Sequence, residues 1–270
     1  MKVKDIASAQ NPLLQKIRRL NDSSERKQLG LFLIEGPKLI EEALSKDVEI
    51  VDLVASKSFF ESGVDRTALK AVDTLTVVHD RVFKGLCTTA SSCGILATAK
   101  PKHYTLEQVL KKKAGIFVFG ECIQDPGNLG TMIRTALAFD AQGMILTSGS
   151  VDHLSPKVVR ASMGAIFSLP IAAEQELDYC LPKLKASDLR LVALDAKARQ
   201  TFDSEAHAVQ TVYLFGNEGQ GLSPKTLKKA DRVVSIPINP LAESLNVAVA
   251  MGIVLYHSQP GSKGETLHSR

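Results

Sequence analysis

Short apolar runs alternate with amphipathic stretches along almost the whole chain, and the runs change character near its middle. In the first hundred residues they are brief: 31–34, 50–55, 76–78 and 95–99 read as strands, each bounded by charge or turn formers. Helical spacing appears over 12–20, where Leu13, Leu14, Ile17 and Leu20 line up beside Lys16, Arg18 and Arg19. It appears again over 38–44, after Glu35-Gly36-Pro37. Strands alternating with helices predict a small α/β domain over 1–99. Residues 100–113 lose the periodicity, carry Pro101 and end a short helix in Lys111-Lys112-Lys113, so they read as a linker. From 114 the runs become almost continuously apolar at 116–119, 143–146, 189–194, 212–215 and 233–236, with helical stretches at 129–139, 156–163 and 177–185 between them. Strands buried on both faces and separated by helices predict a parallel α/β sheet over 114–258. The helix expected at 245–257 is apolar nearly all round and must be covered by its own domain or by another subunit. Residues 259–270 are expected to form a loose polar tail.

Bulk properties change this picture little. A chain of 270 residues suits two cores, and 44% hydrophobic with 23% charged residues is the composition of a globular protein. The net charge is +4, and the excess is concentrated in residues 1–38, where eight Lys and Arg face four Asp and Glu. Such a segment attracts a polyanion, or is simply a solvated charged face. Cys87, Cys93, Cys122 and Cys180 show no CxxC spacing and no paired His, so neither a metal site nor a disulfide framework is indicated. With no apolar leader and no run of about 18 apolar residues, the expectation is a soluble cytoplasmic protein.

Three segments follow strands of the second domain, where parallel sheets bind ligands. The first, QDPGNLGTMIR (124–134), contains a Pro-Gly turn, Asn128 as a natural N-cap, and Arg134 among Met132, Ile133, Ala136 and Leu137, where a charge calls for a carboxylate or a substrate phosphate. The second, FGNEGQGLSP (215–224), has three glycines in six residues. Those glycines permit close backbone approach, in neither the Walker nor the G-x-G-x-x-G order. The third, IPINPLAESLNVA (236–248), offers Ser244 as N-cap of the last helix and leaves Asn246 in an apolar setting. No Ser-His-Asp set, metal cluster or carboxylate pair is evident, and taken singly each segment is a turn or a capped helix.

In order, however, PGNLGTMIRTALAF, FGNEGQGLS and IPINPLAESLNVAVAM resemble the three motifs of the SpoU (TrmH-like) methyltransferases of the SPOUT superfamily, and SPKVVRASMGAIFSLPI (155–171) is also similar to that family. NPLLQKIRRL with FLIEGPKLIEEAL resembles its N-terminal substrate-binding domain, which is like ribosomal protein L30e. The resemblance implies an α/β fold with a trefoil knot in the C-terminal domain, an obligate homodimer, and S-adenosylmethionine as methyl donor. It implies methylation of a ribose 2′-hydroxyl in RNA, ribosomal RNA before tRNA, with a non-catalytic RNA-binding or ribosome-assembly protein as the alternative. By the same resemblance Asn128, Arg134, Glu218, Ser244 and Asn246 fall on catalytic positions, and Leu214, Gly216, Ile236 and Leu245 on donor-binding positions. Two residues depart from the family pattern, which usually has glycine where this chain has Asp140 and Pro240. Proline cannot adopt a positive φ, so the third loop is expected to differ there or never to have needed one.

Overall fold

The computed structural model describes residues 2–62, 72–88, 93–111, 115–202 and 210–259. It divides into two compact units, Met1–Lys102 with Asp152–Ser168, and His103–Val151 with Leu169–Arg270. Lys112 and Lys113 of the lysine run, and most of the expected tail, lie outside the described residues.

The first unit holds a mixed sheet of β1 (Lys2–Ile6), β2 (Phe32–Glu35), β3 (Ile50–Ser56), β4 (Thr74–Val78) and β5 (Ile95–Ala99) in the order β1-β4-β3-β5-β2. Strands β1 and β3 run parallel to β4, whereas β5 is antiparallel to β2 and β3. Alternation along the strands sends Leu33, Val54 and Leu96 to one face, against Leu14 and Ile17 of α1 (Pro12–Arg19) and Leu20, which caps its end. Ile34, Leu53 and Ala97 go to the other face, against Ile40 and Ala43 of a later helix. Between α1 and β2 lies α2 (Ser23–Leu29), capped by Asp22 at its start and by Gly30 at φ 61° at its end. That later helix is α3 (Pro37–Ser45), and α4 (Lys57–Glu61) and α5 (Asp80–Lys84) complete this part. Apolar patterning does not predict β1, because KVKDI has no apolar face. It forms as an exposed edge strand whose charges guard the open ladder.

The second unit begins with α6 (Leu106–Val109), β6 (Ile116–Gly120), α7 (Pro126–Ala138) and β7 (Gly143–Thr147). The chain then contributes α8 (Pro156–Ala161) to the first unit and returns through β8 (Ile171–Gln175), α9 (Leu177–Ala186), β9 (Arg190–Leu194), β10 (Gln200–Thr201), β11 (Thr211–Phe215), α10 (Pro224–Lys229), β12 (Arg232–Ser235) and α11 (Val247–His257). Its seven strands are all parallel, in the order β10-β12-β9-β11-β6-β7-β8. β6, β7 and β11 are buried at every position, as their continuous apolar runs require. β8 and β10 were not foreseen, because IAAEQ and QT are edge strands with little apolar signal.

Asp152 fastens the Asp152–Ser168 excursion to the first unit. Its Oδ2 accepts from Nε and Nη2 of buried Arg26 at 2.8 and 2.6 Å, and Arg26 Nη1 donates to the Leu20 carbonyl. Burial pushes the Asp152 carboxyl up, but the Leu154 N–H and the Arg26 guanidinium outweigh it and hold it below the usual range. Three of the basic residues near the N-terminus are therefore engaged within the fold, since Lys16 also pairs with Asp52 and Arg19 with Glu25.

Asp140 takes φ 53° just past α7, which explains why a glycine is usual there. Asp enters this left-handed region more easily than most residues, yet still at some cost. Asp140→Gly is expected to stabilise the protein by roughly 0.5–1 kcal/mol, seen as a higher denaturation midpoint at unchanged slope. A lower midpoint would show that Asp140 contributes something glycine cannot. Among the described residues no helix is long and apolar enough to cross a membrane, and no group of His, Cys, Asp and Glu could hold a metal ion.

Candidate active site

Three loops leave the carboxyl ends of β6, β11 and β12 in the second unit. The first leads into α7, whose N-cap is Asp125 rather than Asn128: the Asp125 carboxylate accepts from the Asn128 N–H at 2.8 Å. Asp before a Pro at the first helical position was the sequence signal for this cap. Asn128, one turn inside the helix, keeps its side chain for other partners.

The second loop closes on itself. Asn217 and Gly221 exchange backbone hydrogen bonds of 3.1 and 2.9 Å, and Asn217 Oδ1 accepts from the N–H groups of Gly219 and Gln220. A Cβ on Gly216 would lie 2.1 Å from the Gly221 carbonyl carbon, so only glycine closes this loop. Gly221 itself stands at φ 71°.

The third loop turns at residues 239–242, where Ala242 N–H donates to the Asn239 carbonyl and Leu241 N–H to Asn239 Oδ1. Pro240 occupies the second position of that turn, where its fixed φ is an advantage. No positive φ is needed there, so the second departure from the family pattern is accommodated by a local turn. Ser244 is not the N-cap of α11. The helix starts two residues later than the apolar pattern suggests, and Asn246 Oδ1 caps it by accepting from Ala248 and Val249 N–H at 2.9 and 3.3 Å. Ser244 is exposed in the loop before it.

The first two loops are clasped together. Glu121 N–H donates to the Phe215 carbonyl, Ser223 N–H to Glu121 Oε2, and Asn217 Nδ2 to the Cys122 carbonyl. Glu218 then gathers three donors at 3.0 Å: Gln124 N–H on Oε2, and Asp125 N–H with Asn128 Nδ2 on Oε1. Partial burial pushes the Glu218 carboxyl up, but the Asn128 amide and the two N–H groups outweigh it and hold it below its ordinary 4.5. The third loop joins through Asn246 Nδ2, which donates to Asn128 Oδ1 at 2.8 Å.

This chain has only one polarity. Asn246 Oδ1 must face the helix N–H groups, so its amide nitrogen faces Asn128; Asn128 Oδ1 accepts it, so the Asn128 nitrogen faces the carboxylate. The start of α11 is thereby linked to Glu218 through two oriented amides. Cys122, at φ 52° within the clasp, carries backbone strain of the kind found at functional sites.

Arg134 and Ser244 stand outside this chain. Arg134 lies on the exposed face of α7, while Met132, Ile133 and Ala136 are buried. It has no ion-pair or hydrogen-bond partner among the described residues, so of the two partners expected for its charge the fold does not supply a carboxylate, which leaves a substrate phosphate. Leu214 is buried in β11, and Gly216, Ile236 and Leu245 are half-buried in the loops. The clasp residues Glu121, Gln124, Asp125 and Asn217 escaped sequence reading. Only Asp125 had a local signal.

Residues 115–256 match the SpoU rRNA Methylase family, and residues 11–97 match the MRM3-like substrate binding domain. An uncharacterized tRNA/rRNA methyltransferase of Synechocystis sp. is 35% identical over 95% of this chain and 94% of its own length. The 23S rRNA (guanosine(2553)-2′-O)-methyltransferase of Bacillus subtilis is 30% identical over 94% of this chain and 99% of its own. The solved structure of an AdoMet-bound rRNA methyltransferase from Sinorhizobium meliloti is similar at a TM-score of 0.83 and 29% identity, covering 95% of this chain and 97% of that one. Fold, clasped loops and relatives together make the protein an RNA methyltransferase. More particularly, the chain belongs to the SpoU rRNA Methylase family, as its three motifs suggested.

Proposed function

We propose that the protein methylates a ribose 2′-hydroxyl of 23S-type ribosomal RNA in the cytoplasm, using S-adenosylmethionine and acting as a homodimer whose catalytic domain is knotted. The observation that carries this reading is the Asn246–Asn128–Glu218 chain, which joins one residue from each of three family motifs at the carboxyl edge of the sheet.

The donor fits the residues present. The backbone N–H groups of Gly216, Ile236 and Leu245 have no hydrogen-bond partner among the described residues. Half-buried backbone donors without partners suit the edge of an adenine. When bound, S-adenosylmethionine supplies a sulfonium methyl group open to attack by the hydroxyl oxygen. Asn128 and Asn246 each keep a second amide N–H with which to orient the substrate. Glu218 is a positioning group, because its low-lying carboxylate is already held by three donors. Arg134 has a phosphate-orienting and electrostatic role, since a guanidinium is a poor base and a planar fork that matches phosphate oxygens.

The ribosomal preference rests on residues 1–99 acting as an L30e-like RNA-binding domain, joined by 100–113 to the catalytic domain at 114–258. It is supported by the substrate-binding match over 11–97 and by the name of the Bacillus subtilis relative. The dimer is supported by α11. Val249, Ile253 and Tyr256 form an apolar stripe on it, with Val249 53% and Tyr256 51% exposed, and Leu137 of the packed helix α7 is 37% exposed.

Calorimetry should show saturable S-adenosylmethionine binding by a protein that sediments as a dimer. Ribose-methylation mapping of cells without the gene should show one lost 2′-O-methyl in 23S-type RNA. A monomer that binds donor would overturn the dimer. Loss confined to tRNA would overturn the substrate, and absence of donor binding would leave an RNA-binding assembly protein.

A further inference from the structure

We propose that Glu121 is a positioning residue that holds the neck of the glycine loop 215–223 and so sets the shape of the methyl-donor site; this rests on reading that loop as the donor loop. Glu121 follows β6 directly and is only 4% exposed. A carboxylate that deep in a protein is costly unless something uses it. No ion pair offsets its charge among the described residues.

What it touches are the two ends of one loop. Its backbone N–H donates to the Phe215 carbonyl at 2.8 Å, which carries the β6–β11 ladder one step beyond the strands. Its side-chain Oε2 accepts from the Ser223 N–H at 3.3 Å. Between those points the chain closes through Asn217 and Gly221, with Gly216 pressed against Gly221. The remaining clasp bonds act elsewhere: Cys122 holds Asn217, and Gln124, Asp125 and Asn128 hold Glu218. Glu121 alone in the clasp reaches Ser223, where the loop passes into α10 as its N-cap.

Without that acceptor, the returning limb from Gly221 to Ser223 is free to shift, and Gly216 packs on that limb. The half-buried N–H of Gly216 would then lose its fixed direction. The residue therefore acts on the donor through the loop, and its loss should be felt in donor affinity rather than in RNA affinity.

The test compares Glu121→Ala, Glu121→Gln and Glu121→Asp in the full-length protein. It uses calorimetry with S-adenosylmethionine, RNA-binding titrations, thermal unfolding and steady-state kinetics. Leaving the Ser223 N–H unpaired should raise the donor Kd and KM of Glu121→Ala by about tenfold or more. RNA affinity, and kcat at saturating donor, should stay within about twofold, because removing an interaction equal in ground and transition states changes KM and not kcat. Glu121→Gln keeps an acceptor oxygen at the same reach and should restore donor affinity to within about threefold of wild type, whereas Glu121→Asp, one methylene short, should not. A folded Glu121→Ala with wild-type donor affinity would overturn the proposal, as would RNA affinity falling in parallel with donor affinity. If the alanine variant does not fold, equal donor affinities for the Asp and Gln variants overturn it. A wild-type protein that fails to bind S-adenosylmethionine overturns the donor-loop reading itself, which is a separable result.

Discussion

Replacing Arg134 with alanine is expected to lower kcat for RNA methylation by about a thousandfold, the upper range for losing one charge-stabilising group, while leaving thermal stability unchanged. The two halves of that expectation come from the same observation. Arg134 projects from the exposed face of α7 and has no partner among the described residues, so the fold has nothing to lose with it. An exposed charge with no structural task, on the helix that also carries Asn128, is free to meet a phosphate. The proposed role follows from its chemistry: a guanidinium is a poor base and a good planar fork for phosphate. Arg134→Lys keeps the charge and loses the fork, and should recover only part of the activity. Near-normal turnover of Arg134→Lys in single-turnover assays would remove any requirement for the planar group. A rise in RNA KM at constant kcat for Arg134→Ala would reduce Arg134 to a binding residue.

The sheet of the second unit was readable because strands buried on both faces leave long apolar runs, and β6, β7 and β11 lie where those runs do. Edge strands without an apolar run leave no such record, and β1, β8 and β10 were missed for that reason, whereas the edge strand β2 carries the run at 31–34 that marks it. Helix caps were half legible. Ser244 and Asn246 are both good caps two residues apart, and no pattern tells which side chain reaches the free N–H groups of α11. The site was legible only as an ordered set of motifs. Asn128 is 90 residues from Glu218 and 118 from Asn246, and no local rule pairs amides with a carboxylate across such distances. The β6–β11 pairing brings Asn128 and Glu218 together, and the capping geometry of α11 turns Asn246 toward them. Pro240 shows the converse: a residue that breaks the family pattern sits comfortably in a turn that sequence comparison did not reveal.

Asn128→Asp changes one amide to a carboxyl of nearly the same shape, yet it should lower kcat/KM by about a hundredfold at pH 8, as expected when an oriented hydrogen bond becomes a like-charge contact. In the wild type, Asn128 Nδ2 donates to Glu218 Oε1 at 3.0 Å and helps to keep that carboxyl ionised. Stabilisation from a lowered carboxyl pKa is present above the ordinary 4.5 and is lost only as pH falls through the folded value, so the wild-type clasp is intact across the neutral range. The substitution reverses this. Two carboxylates at hydrogen-bond distance cannot both stay ionised without cost, so the pair takes up one proton with a raised pKa. Once that proton is shared, the introduced carboxyl donates to Glu218 as the amide did, and its other oxygen still accepts from Asn246 Nδ2. The variant should therefore regain activity relative to wild type as pH falls from about 8 towards 5.5, with the midpoint reporting the pair and not either residue. Asn128→Ala cannot share a proton and should show no such recovery. If the Asp and Ala variants have parallel pH profiles, the contact with Glu218 does not govern the reaction, and Asn128 would act through Asn246 and the substrate alone.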